Sequence, residues 1–135
     1  MIDKLVTQLI KHEACKLKPY LDTENKLTIG IGRNLTDNGI SQDEAELMLK
    51  NDLKWVFTEL DQMFSSWKSL SVNRQLVLSD MMFNMGAPAF SKFKNFWAAL
   101  KSNDYATASV EMMDSKWAEQ VKGRAVTLSE MMSDG

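Results

Sequence analysis

Glu13, Asp22 and Thr28 stand close together in the stretch HEACKLKPYLDTENKLTIGIG. Two carboxylates a few residues apart, with a turn between them, can flank a small reacting group. Glycosidic cleavage needs such a pair: one group protonates the leaving oxygen, the other deals with the oxocarbenium side. Inverting chemistry leaves space for a water between the carboxyl groups, and retaining chemistry brings them closer. By type and spacing alone the pair is commonplace, and solvated loop charges are the plainer reading.

Other chemistries have less support. His12 and Cys15 could form a nucleophilic pair, but nothing nearby supplies the third, orienting group. With one histidine and one cysteine in 135 residues, zinc sites of the usual kinds are excluded, as is an intrachain disulfide. No metal and no cofactor is expected. The formal charge is −2 and the lysines are scattered, so the basic face that nucleic-acid binding exploits is missing. No apolar run reaches the ~20 residues of a membrane span. The N-terminal MIDKLVTQLIKHE is too polar and broken for a signal peptide, which predicts synthesis in a cytoplasm and no direct membrane insertion.

The length fits one domain with a core of its own. Ile2, Leu5, Val6, Leu9 and Ile10 recur at helical spacing and predict a first helix ending near Glu13. Pro19 blocks its continuation. Residues 20–22 and 27–29 read as a hairpin with Asn25 in the left-handed region, directing Asp22 and Thr28 towards one small volume. Gly30 and Gly32 alternate with isoleucines, which predicts a strand with one bare face. Ser41 and Glu44 form a capping box ahead of a long helix to about residue 64. Ser71 caps a helix ending at Gly86, Pro88 closes the next turn, and helices are expected over 91–101, 104–113 and 115–121. Gly123 reads as a break before a short final helix. The ten methionines, several in adjacent pairs, read first as adaptable core packing. The fold class expected is α+β, mostly α.

The stretch resembles the active-site signature of phage-type lysozymes, the family of T-even phage lysozyme. That signature runs Glu, eight residues, Asp, five residues, Thr, then Ile-Gly-x-Gly. The resemblance continues through SQDEAELMLKNDL, RQLVLSDMMFNMG and SKWAEQVKGRA, and so covers almost the whole chain in order. It implies a single lysozyme-like domain over 1–135: a small β-hairpin lobe at about 13–60, a linking helix at about 42–64, and a helical lobe at about 65–135 that also takes helix 1–12. It implies hydrolysis of the β-1,4 bond between N-acetylmuramic acid and N-acetylglucosamine in peptidoglycan, usually with inversion. The protein would act in host lysis, waiting as a monomer in the host cytoplasm and reaching the periplasm and cell wall once a holin opens the membrane.

Carried over by position, the resemblance makes Glu13 the general acid, gives Asp22 charge stabilisation or water activation, and gives Thr28 the placing of that water. Arg124 matches the arginine that pairs with the catalytic glutamate. Phe83, Asn84, Trp117 and Gln120 correspond to residues near the sugar, although Phe83 and Trp117 fit a core equally well. Asn34 falls where the family often has an apolar cleft residue. The usual histidine after the second glycine is Arg33, and Arg33–Asp52 is the ion pair expected in place of the family's histidine–aspartate pair. Ala14 replaces a glycine, which is harmless if the backbone there is not left-handed. The small lobe lacks a segment of the longer relative, and the mildly acidic balance weakens attraction to an anionic wall. Two alternatives stay open: a lytic transglycosylase using Glu13 alone, and a non-catalytic sugar-binding or virion module.

Overall fold

Local signals set most element boundaries in the computed structural model, which describes all 135 residues. Helices account for 70% of the chain, beside one small three-stranded antiparallel sheet, so the class is α+β and mostly α. The chain divides into two compact units, Met1–Met48 and Leu49–Gly135.

The first unit opens with α1, Ile2–Glu13, whose last residue is Glu13 and whose apolar stripe is exposed. The sheet follows in the order β1 (Lys16–Leu21), β2 (Leu27–Gly30), β3 (Arg33–Asn34). Pro19 lies inside β1 rather than in a connection. An edge strand tolerates the missing N–H, and the β1–β2 register slips between Lys16 and Tyr20. Asn25 adopts φ 64° in the hairpin turn, as its side chain permits. The glycines depart from expectation. The strand stops at Gly30, and Gly30 and Gly32 both take φ 68°, so they make a tight turn into β3 rather than a bare strand face. A four-residue helix, α2 (Leu35–Asn38), is capped by Asn34, whose side chain accepts from the Asp37 amide.

The capping box forms as expected. Ser41 Oγ accepts from the Glu44 amide at 3.1 Å, and Glu44 Oε1 accepts from the Ser41 amide at 2.9 Å. It starts α3, Gln42–Met63, along which the unit boundary falls.

The second unit carries the apolar core. After a 3₁₀ turn at Trp67–Ser69 come α4 (Val72–Met85), α5 (Ala87–Phe90), α6 (Lys94–Lys101), α7 (Tyr105–Met113), α8 (Lys116–Val121) and α9 (Gly123–Asp134). Pro88 lies in the first turn of α5, where its missing N–H costs nothing. The break before the last helix falls on Lys122 (φ 50°) rather than on Gly123, which begins α9. Phe90 anchors an aromatic cluster, its ring centroid 4.7 Å from Trp97 and 5.6 Å from Phe96. Trp97 Nε1 donates to the Phe90 carbonyl at 2.9 Å, which satisfies the one polar atom of that pair. Met81, Met82, Met112 and Met132 are fully buried, so the methionines are chiefly core filler. Arg74 clamps the C-terminal end: Nε donates to the Met132 carbonyl at 2.8 Å, and the guanidinium lies 3.5 Å from the Tyr105 ring centre.

Candidate active site

The three residues expected to act in catalysis, Glu13, Asp22 and Thr28, lie in the first unit, on a helix end and the adjoining hairpin. Glu13 ends α1, and its carboxyl group rests against the bare Cα of Gly32 in the β2–β3 turn. A Cβ built on Gly32 would stand 2.9 Å from Glu13 Oε2 and 3.2 Å from its Cδ. Immediately after it, Ala14 takes φ 62° and ψ 173°, a region that is essentially glycine's own. The proviso on Ala14 is therefore not met, and the substitution for glycine carries strain.

The hairpin fixes Asp22 and Thr28. Tyr20 pairs with Thr28 and Leu21 with Leu27, and the Asp22 amide donates to the Lys26 carbonyl at 2.9 Å. Period-two alternation then puts Asp22 and Thr28 on one face of the ribbon as diagonal neighbours. Asp22 Oδ1 accepts from the amides of Glu24 and Lys26, both at 2.8 Å. This Asx turn holds the carboxylate in place and leaves its second oxygen available. Thr28 is 4% exposed, and its hydroxyl donates to the Lys26 carbonyl at 3.0 Å while its lone pairs can still accept.

Asn34 stands opposite Thr28 in the β2–β3 register. Its side chain is committed locally, accepting from the Asp37 amide at 3.0 Å and donating to Asp37 Oδ2 at 2.8 Å. The ion pair expected between Arg33 and Asp52 is not formed. Arg33 Nη1 donates instead to Glu44 Oε1 at 2.7 Å, about two turns earlier on α3 than Asp52. The capping box explains the choice, because it already holds the Glu44 carboxylate at the start of α3. The Arg33 hydrogen bond, reinforced by the Ser41 amide and hydroxyl, pulls the Glu44 carboxyl down to about 2. Arg33 is raised in return, chiefly by the same bond.

In the second unit Arg124, Asp80 and Phe83 line one open groove of about 610 Å³ with Leu53, Phe57 and Met131. Phe83 is 42% exposed, so it is a surface aromatic rather than a core one. Arg124 pairs with Asp80 across α4 and α9, a partner that sequence spacing gave no means of choosing. Trp117 goes the other way: it is 6% exposed, packs edge-on to Phe93 at 6.5 Å, and donates from Nε1 to Asn84 Oδ1 at 2.7 Å. Asn84 and Gln120 are exposed, and Asn84 keeps its amide nitrogen free to donate outward.

A mostly helical chain with one small three-stranded antiparallel sheet is consistent with a lysozyme-like fold. Residues 10–130 match the phage lysozyme family, and the chain belongs to it. Membership supports a peptidoglycan-lytic enzyme of the lysozyme type. The chain is 26% identical to the probable T4-type lysozyme 2 of Dictyostelium discoideum, across all of this chain and 96% of that protein. It is 28% identical to the endolysin of Salmonella phage P22 over 70% of this chain and 74% of that one. It is also 27% identical to the pre-baseplate central spike protein Gp5 of Enterobacteria phage T4, where 97% of this chain matches 28% of the longer protein. No helix is long and apolar enough to cross a membrane.

Proposed function

We propose that the protein is an endolysin that hydrolyses the β-1,4 bond between N-acetylmuramic acid and N-acetylglucosamine. The observation that carries this is the joint presence of Glu13 on a helix end and of Asp22 and Thr28 on one ribbon face. Glu13 donates a proton to the leaving glycosidic oxygen. Asp22, held by its turn amides, stabilises positive charge on the sugar or draws a proton from the attacking water. Thr28 accepts a hydrogen bond from that water and orients it. Arg124 is assigned a supporting part by its match to the family arginine, and its partner in the structure is Asp80. Phe83 offers an aromatic face to sugar C–H groups, and Asn84 and Gln120 offer amides to sugar hydroxyls. Trp117 acts through Asn84, holding its carbonyl so that the amide nitrogen points outward, and Asn34 shapes the turn beside Thr28.

The enzyme acts on wall glycan after synthesis in the host cytoplasm, once a holin has permeabilised the membrane. The test is clearing of outer-membrane-permeabilised Gram-negative cells by purified protein. Glu13→Gln removes most of the activity, and undiminished clearing by that variant would reject the assignment. Mass spectra of the products distinguish the reactions: ordinary reducing ends belong to hydrolysis, and anhydromuramyl ends to a transglycosylase. A second reading, a domain carried in a virion, is favoured by the likeness to the spike protein. Binding to peptidoglycan without release of fragments would support a non-catalytic role of that kind.

A further inference from the structure

The geometry points to Gly32 as a positioning residue for the Glu13 carboxyl group, an inference that rests on the assignment of Glu13 as the acid. Glu13 is the last residue of α1, and a glutamate there has three side-chain torsions with which to wander. Two features restrain it. Its backbone exit is fixed by the unusual Ala14 conformation, with the Ala14 amide bonded to the Ile10 carbonyl at 2.9 Å. Its carboxyl end lies in the space that a side chain at position 32 would occupy: Oε2, Cδ and Cγ fall 2.9, 3.2 and 3.3 Å from the Cβ that Gly32 lacks. The bare Cα thus forms a floor beneath the carboxyl group, and the tight turn sets the height of that floor.

The atoms that a Cβ would strike belong to the flexible end of Glu13 rather than to backbone. Gly32→Ala therefore displaces the carboxyl group before it disturbs the fold. The sheet also supplies a control. Gly30 has the same φ of 68° as Gly32, yet a Cβ there meets nothing within 4 Å. Gly30→Ala carries the backbone strain alone, and Gly32→Ala carries that strain plus the shift of Glu13.

The experiment measures kcat and KM of both variants on defined peptidoglycan fragments, corrected for folded protein, beside Glu13→Gln. A displacement near 1 Å at a reacting group costs up to about a hundredfold in rate. Gly32→Ala is therefore expected to lower kcat about tenfold or more relative to Gly30→Ala, with KM changed less than about twofold. Equal kcat for the two alanine variants overturns the inference. So does a Gly32→Ala protein that fails to fold where Gly30→Ala folds, because the glycine would then be purely structural. A parallel stability cycle needs no activity: in a Glu13→Ala background the cost of Gly32→Ala should fall while that of Gly30→Ala stays as it was, the extra contact being gone. Persistent extra cost at position 32 would overturn the contact itself. Full activity of Glu13→Gln sinks the acid assignment separately, while the cycle still reports on the contact.

Discussion

Arg124 lies against Asp80 with Nε and Nη2 both reaching Oδ1, at 2.8 and 2.6 Å. The two side chains are 42% and 37% exposed, so the bond is screened by solvent and contributes at most about 1 kcal/mol. Arg124→Ala should therefore leave the urea midpoint nearly unchanged. With Arg124 as a supporting residue of the proposed reaction, the same variant loses more activity at neutral pH than Arg33→Ala does. The reverse order in a cell-clearing assay would count against that role.

The Glu44 carboxyl predicts an acid-sensitive helix start. Its folded value, about 2, lies below the ordinary 4.5, because Arg33 and Ser41 hold the charged form. The stabilisation is therefore present above about 4.5 and is lost as pH falls from there towards 2. Unfolding of the native protein and of Glu44→Gln, followed by circular dichroism, should differ near neutrality and converge in that acid window. A constant difference across pH would mean that the carboxylate is not held this way.

Ala14 is strained for want of a glycine. A residue in that backbone region costs of order 1–3 kcal/mol, and glycine gives back about 0.5–1 kcal/mol in unfolded-chain entropy. Ala14→Gly should raise stability by about 1 kcal/mol in denaturant titrations, and Ala14→Val should lower it. An unchanged midpoint for the glycine variant would contradict the φ of 62°.

Trp117 depends on Asn84 for the partner of its buried N–H. Asn84→Ala leaves that donor unpaired, at a cost of about 1–3 kcal/mol. Asn84→Asp keeps an acceptor in place and should retain most of the stability. Equal loss in both variants, by chemical unfolding, would mean that the bond contributes little.

Much of this protein was legible before its structure. The stripe Ile2, Leu5, Val6, Leu9, Ile10 predicts α1, Ser41 with Glu44 starts α3, and Ser71 starts α4, because each signal acts within a few residues of its effect. Asn25 in the hairpin turn belongs to the same group. The signature Glu-Asp-Thr spacing carried the family, since the three residues of the signature lie on one short stretch of chain. Pairings between distant residues were not readable in this way. Arg33 was matched only to Asp52, and it pairs instead with Glu44 at the capped start of α3. Trp117 could have been cleft or core until α4 and α8 brought its N–H to Asn84. Local sequence determines elements because backbone hydrogen bonding and periodicity are short-range. Which carboxylate meets which cation, and which glycine bears on Glu13, depends on how the turns aim those elements, and only the tertiary structure decides that.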